Sequence, residues 1–112
     1  MKHIYLLIDP INKIVRYVGA TSNPKSRLNQ HVKDASKPKK KGRTKKQEWI
    51  LSLQKKGMIP GMKIICSEES KEKAREIEEQ TVMKYIDTIF NIHMPGKGSL
   101  SIDHFKKTGK TK

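Results

Sequence analysis

Apolar and polar positions along this chain change period several times, and each change marks an element. Ile4 to Ile8 is a continuous apolar, β-prone run and predicts a strand. Asp9-Pro10-Ile11-Asn12-Lys13 carries turn formers, and Pro10 ends the strand. β character resumes from Ile14 to Ala20 with Val15, Tyr17 and Val18, so two strands around a short polar turn predict an antiparallel hairpin. Alternation along a strand places Tyr5 with Leu7 and Tyr17 with Val15. Gly19 leaves room for a close approach of backbone or ligand.

Helical spacing follows. Asn23 suits an N-cap and Pro24 the first helical position, which predicts a helix from Pro24 to about Ala35. Leu28, Val32 and Ala35 form its apolar stripe. Arg27 and His31 are an i, i+4 pair beside that stripe and point the same way. Lys37 to Lys46 is rich in Lys, Pro and Gly and predicts a solvated loop. A second helix starts at Thr44, where Thr44 and Gln47 have capping-box spacing. It turns Trp49, Ile50 and Leu53 inward and stops at Gly57. Pro60-Gly61 predicts a turn and Met62 to Cys66 a third strand. Glu68 to Ile86 predicts the one acidic helix, capped by Ser67 or Ser70, with Ala74, Ile77, Val82, Met83, Tyr85 and Ile86 on its apolar face. Asn91 and Pro95 lie in the loop after it. These elements make an α+β domain over residues 1–95, a small three-stranded antiparallel sheet flanked by helices, followed by a basic tail over 96–112 that frays.

Composition narrows the partner. A formal net charge of +14 on 112 residues predicts a polyanionic ligand, with nucleic acid first, while a merely sticky basic protein is the bland alternative. Lys39, Lys40, Lys41, Arg43, Lys45 and Lys46 form the densest basic run and are the expected phosphate contacts. Cys66 is the single cysteine, and His3, His93 and His104 have no ligand spacing with it, so a zinc site is not expected. No secretory signal and no membrane-length apolar run is present, so the expected location is cytoplasmic or nucleoid-associated.

The remaining polar residues suit phosphodiester hydrolysis. That reaction needs a group to deprotonate water, a cation facing the phosphate, and a metal or acid at the leaving oxygen. Tyr5, Tyr17 and His31 offer the first service, Arg27 the second, and the acidic helix the third. Taken singly, each tyrosine fits a packed strand aromatic and the Arg27–His31 pair fits a solvated helix face. Their joint order is what carries information.

The ordered set His3-Ile4-Tyr5, Tyr17-Val18-Gly19, Arg27 with His31, and a helical glutamate before an asparagine resembles the GIY-YIG nuclease domain over roughly residues 3–93. The resemblance implies a metal-dependent DNA endonuclease that hydrolyses one strand per active site. It implies one divalent ion, Mg2+ with Mn2+ as a substitute, held by a glutamate that matches Glu79. Tyr5 would help activate the water, with His31 or Tyr17 assisting. Arg27 would contact the scissile phosphate and Asn91 would brace the site. For the glutamate, Val82, Met83 and Ile86 after Glu79 and its distance to Asn91 favour Glu79, whereas apolar periodicity favours its neighbour Glu78. Glu79 is the expectation and Glu78 the fallback. His3 replaces the first glycine of the motif, and Lys45 or Lys46 fills the place of an extra basic residue that some members carry near the site. The competing expectation is a basic nucleic-acid-binding protein on the same scaffold with little or no cleavage. A partner protein or a homodimer stays open.

Overall fold

The computed structural model describes residues 1–37 and 42–91. Its elements run β1 (Lys2–Ile8), β2 (Val15–Thr21), α1 (Pro24–Ser36), α2 (Lys45–Lys55), β3 (Gly61–Glu68) and α3 (Lys71–Lys84). The sheet has three strands in the order β2-β1-β3, both pairings antiparallel. The expected α+β architecture is therefore the observed one. No described helix is long and apolar enough to cross a membrane.

Local chemistry explains the boundaries. At the hairpin, Asp9 accepts from the backbone N–H groups of Ile11 (2.8 Å) and Asn12 (3.3 Å), and Lys13 takes a left-handed φ of 65°. This side-chain turn closes the strands without a glycine. Asn23 caps α1 by accepting from Ser26 N–H, with Pro24 at the first turn. Thr44 and Gln47 form both halves of the capping box on α2. Ser70, rather than Ser67, caps α3. The acidic helix consequently starts later than its sequence pattern predicts, because Glu68 ends β3 and its carboxylate accepts from Ser70 N–H at 3.3 Å.

β1 is the central strand, so its alternate side chains define two layers. Ile4 and Leu6, with Val18 of β2, pack on Ala74, Val82, Ile86 and Ile89 of α3 and the chain after it. Tyr5 and Leu7 are fully buried on the opposite face, the side of α1 and α2, where Ala35, Ile50 and Leu53 are also buried. Trp49 is half-buried and donates its indole N–H to Asp9 at 2.9 Å, which ties α2 to the hairpin. That bond and those from the backbone hold the Asp9 carboxyl below its ordinary value against the opposing effect of burial. Beyond α3 the chain lies along the outer edge of β2. Phe90 N–H donates to Arg16 O at 2.7 Å, and Asn91 accepts from Val18 N–H (3.1 Å) and donates to Val18 O (2.8 Å). Asn91 thus braces β2 through both backbone groups of one residue, beside the glycine of the second motif.

Candidate active site

Helices α1 and α2 deliver polar side chains to the sheet face that carries Tyr5. His31 is buried at 3% exposure on α1, one turn before buried Ala35. Its Nε2 lies 2.8 Å from Tyr5 Oη, and its Nδ1 lies 3.2 Å from Lys46 Nζ at the start of α2. An ammonium can only donate, so Nδ1 accepts from Lys46 and the ring proton sits on Nε2, donating to Tyr5 Oη. Lys46 also stands 4.7 Å from the centre of the Tyr17 ring. Tyr5, Tyr17 and His31 form a compact ring cluster, with centroids 5.1 to 6.2 Å apart. Of the two lysines left open from sequence, Lys46 enters the cluster and Lys45 is exposed.

Burial sets the resting protonation states. It pushes the His31 imidazole down to about 3, assisted by Lys46 and Arg27, so the ring is neutral. Burial also raises both tyrosine hydroxyls, and both stay protonated. Arg27 opposes that rise by hydrogen bonding and charge at each hydroxyl. Its own pKa is raised because the tyrosines outweigh the burial that would lower it. Lys46 is lowered by burial and then by Arg27. The cluster is therefore a desolvated group of phenols and cations around a neutral imidazole.

Glu78 is an acid whose charge is felt in the cluster. Its charge acts on both Tyr5 and Tyr17, raising each. Burial raises the Glu78 carboxyl, with Lys2 and Arg75 pulling the other way. Glu78 lies four residues from both Ala74 and Val82, which are buried, so it stands half-buried beside the buried stripe of α3. Glu79 is half-buried one position on, about 100° around the helix. Of the apolar residues that follow Glu79 in the motif pattern, Val82 and Ile86 are buried and Met83 is 44% exposed. Glu78 is thus the acid whose charge acts on the tyrosines and Glu79 the one that motif spacing favours, and both stand as candidates for the metal.

The expected basic contacts separate. Lys39, Lys40 and Lys41 lie outside the described residues, as does the tail over 96–112. Arg43 has a structural task, because its Nε and Nη2 donate to Ala35 O (2.7 Å) and Lys37 O (3.2 Å) and close the end of α1. Lys46 belongs to the cluster rather than to an outer basic surface.

Neutral His31 has a consequence for stability. Its folded pKa lies below the ordinary 6.5, so between those values the unfolded chain binds the extra proton. The stability that depends on the neutral ring is complete above pH 6.5 and is lost as the pH falls toward 3. We expect unfolding free energy to drop by up to about 1.4 kcal/mol per pH unit below the ordinary imidazole value. Thermal melts between pH 7 and 5 check this, with His31→Gln expected to lose most of the slope. An equal slope in the variant refutes it.

Compared with known proteins, residues 1–87 match the family model described as the GIY-YIG catalytic domain. No curated protein and no solved structure gives a significant match to the chain.

Proposed function

The chain belongs to the GIY-YIG catalytic-domain family, nucleases that hydrolyse phosphodiester bonds in DNA, and from that premise we propose that it is a metal-dependent endonuclease cutting one strand per active site. The observation that carries this reading is the convergence of Tyr5, Tyr17, Arg27, His31 and Lys46 with the Glu78 charge.

The donors fit a single hard cation. Glu78 is a carboxylate desolvated by burial, so an added positive charge relieves it. Among the described residues no three His, Cys, Asp or Glu side chains gather, which suits an ion that keeps water and phosphate oxygens as its other ligands. Mg2+ is the proposed ion, with Mn2+ able to substitute. Bound at Glu78, it would supply a charge for the phosphate oxygens and an acidified water.

The residues of the chain do the rest. Arg27 extends from α1 toward both hydroxyls and neutralises charge that grows on the phosphate. Tyr5 gives its phenolic proton to a solvent water, and the phenolate then takes the proton of the water that attacks phosphorus. The donated His31 Nε2–H and the nearby Arg27 stabilise its phenolate, and Lys46 fixes the imidazole tautomer from the far side. Tyr17 walls the cluster and holds Lys46 over its ring. Asn91 keeps Val18, and so Gly19, in register behind Tyr5.

Nicking of supercoiled plasmid tests this. Wild type is expected to nick with Mg2+ and not in EDTA. Arg27→Ala is expected to lose about 10² to 10³-fold in rate with an unchanged circular dichroism spectrum. Binding to plasmid and branched DNA without any nicking by wild type would instead support the binding protein without cleavage, which the charge of +14 also suits.

A further inference from the structure

The sheet register places a second set of polar side chains beside the cluster. On β1, Tyr5 pairs with Gly19 and Ile64, and two residues back His3 pairs with Thr21 and Ser67. Residues two apart on a strand share a face. His3, Thr21 and Ser67 therefore form the next row on the face that carries Tyr5. His3 Nδ1 lies 2.7 Å from Ser67 Oγ. His3 and Thr21 are half-exposed and Ser67 is exposed, so this row is open where the Tyr5 row is covered. Among the described residues His3 Nε2 has no protein partner. Asn23, two residues after Thr21, caps α1, which brings the start of the helix that carries Arg27 near the end of the row. A glycine at position 3, as in the motif this chain departs from, would remove the imidazole from the row and leave only the two hydroxyls.

We propose that His3 contacts the phosphate next to the scissile one on the strand being cut. The proposal rests on the nuclease reading only for the location of the scissile phosphate, between Tyr5 and Arg27. The spacing is suitable, since two residues along a strand span about 7 Å, on the scale of one backbone step of a nucleic-acid strand. The ring is suitable as well. In the tautomer in which Nδ1 accepts from the Ser67 hydroxyl, Nε2 carries the proton and offers an N–H to a phosphate oxygen. Ser67 is a positioning residue that sets the orientation and tautomer of the ring. A phosphate contact of this kind sets register on the strand and reads no base.

The test uses the full chain in EDTA, so that binding is measured without cleavage. Wild type and His3→Gly are titrated with oligothymidylates that contain one, two or three phosphodiesters. A hydrogen bond to a charged group predicts that the second phosphodiester raises wild-type affinity about tenfold, and by less than about twofold in His3→Gly. The His3 ring resonances are expected to move with the two-phosphate ligand and stay in place with the one-phosphate ligand. Ser67→Ala is expected to fall between, with Ser67→Thr restoring the gain. The same gain in His3→Gly as in wild type, an unmoved His3 ring, or no binding of any oligothymidylate overturns the proposal. A chain that fails to nick DNA in Mg2+ yet shows the His3-dependent gain would overturn the nuclease reading and leave this contact standing.

Discussion

Glu78→Gln is expected to abolish Mg2+-dependent nicking, a loss of about 10³-fold or more, since holding a metal is worth several kcal/mol of transition-state stabilisation. Glu79→Gln is expected to stay within about threefold of wild type. The two acids are adjacent, but only one lies on the i+4 line Ala74, Val82, Ile86 that packs on the sheet. Burial disfavours the Glu78 charge, so its carboxylate is held at a cost to folding. The same variant is therefore expected to melt no lower than wild type at pH 8, where the carboxylate is ionised. Lost activity with retained or raised melting temperature separates a functional carboxylate from a structural one. Nicking rates for both variants across a Mg2+ titration check the ranking, and the reverse order would move the metal to Glu79.

That pair illustrates how much of the site was legible in the sequence. The hairpin, the caps at Asn23 and Thr44 and the third strand follow from local chemistry, and the structure has them within a residue or two. The two tyrosines, Arg27 and His31 follow from strand alternation and i, i+4 spacing, and they meet in one cluster. A further signal was present in each helix. His31 stands a turn before Ala35, Lys46 a turn before Ile50, and Glu78 between Ala74 and Val82, all of which are buried. A polar residue on an apolar stripe must be desolvated, and desolvated polar groups gather where chemistry is done. Periodicity points to Lys46 over Lys45 and to Glu78 over Glu79 for that reason, whereas motif spacing pointed to Glu79. What stayed hidden were contacts made across the fold. Trp49 bonding to Asp9, Arg43 closing α1 and Asn91 pairing with both groups of Val18 join residues up to 73 apart in sequence, and no local pattern encodes such partners.

Gly19→Ala is the second large expected effect, because the second motif ends in glycine for a steric reason. The Gly19 backbone lies directly beneath the Tyr5 ring. A Cβ added there would stand 2.5 Å from both Tyr5 Cζ and Oη and 2.9 Å from Cε2. Tyr5 is 1% exposed and backed by the cluster, so it cannot absorb that intrusion by a small swing. The phenol is expected to shift away from His31 Nε2 and lose the 2.8 Å contact. A displacement of this size at a reacting group predicts a rate loss of about 10²-fold. Overpacking adds a stability cost of about 1–3 kcal/mol, which a melting curve reads separately. A double-mutant cycle distinguishes displacement of Tyr5 from general damage. Tyr5→Phe removes the hydroxyl and its bond to His31, so if Gly19→Ala acts through Tyr5, adding it to Tyr5→Phe costs little further activity. Full additivity of the two losses would mean that the glycine serves the site by another route, such as direct approach of the substrate backbone.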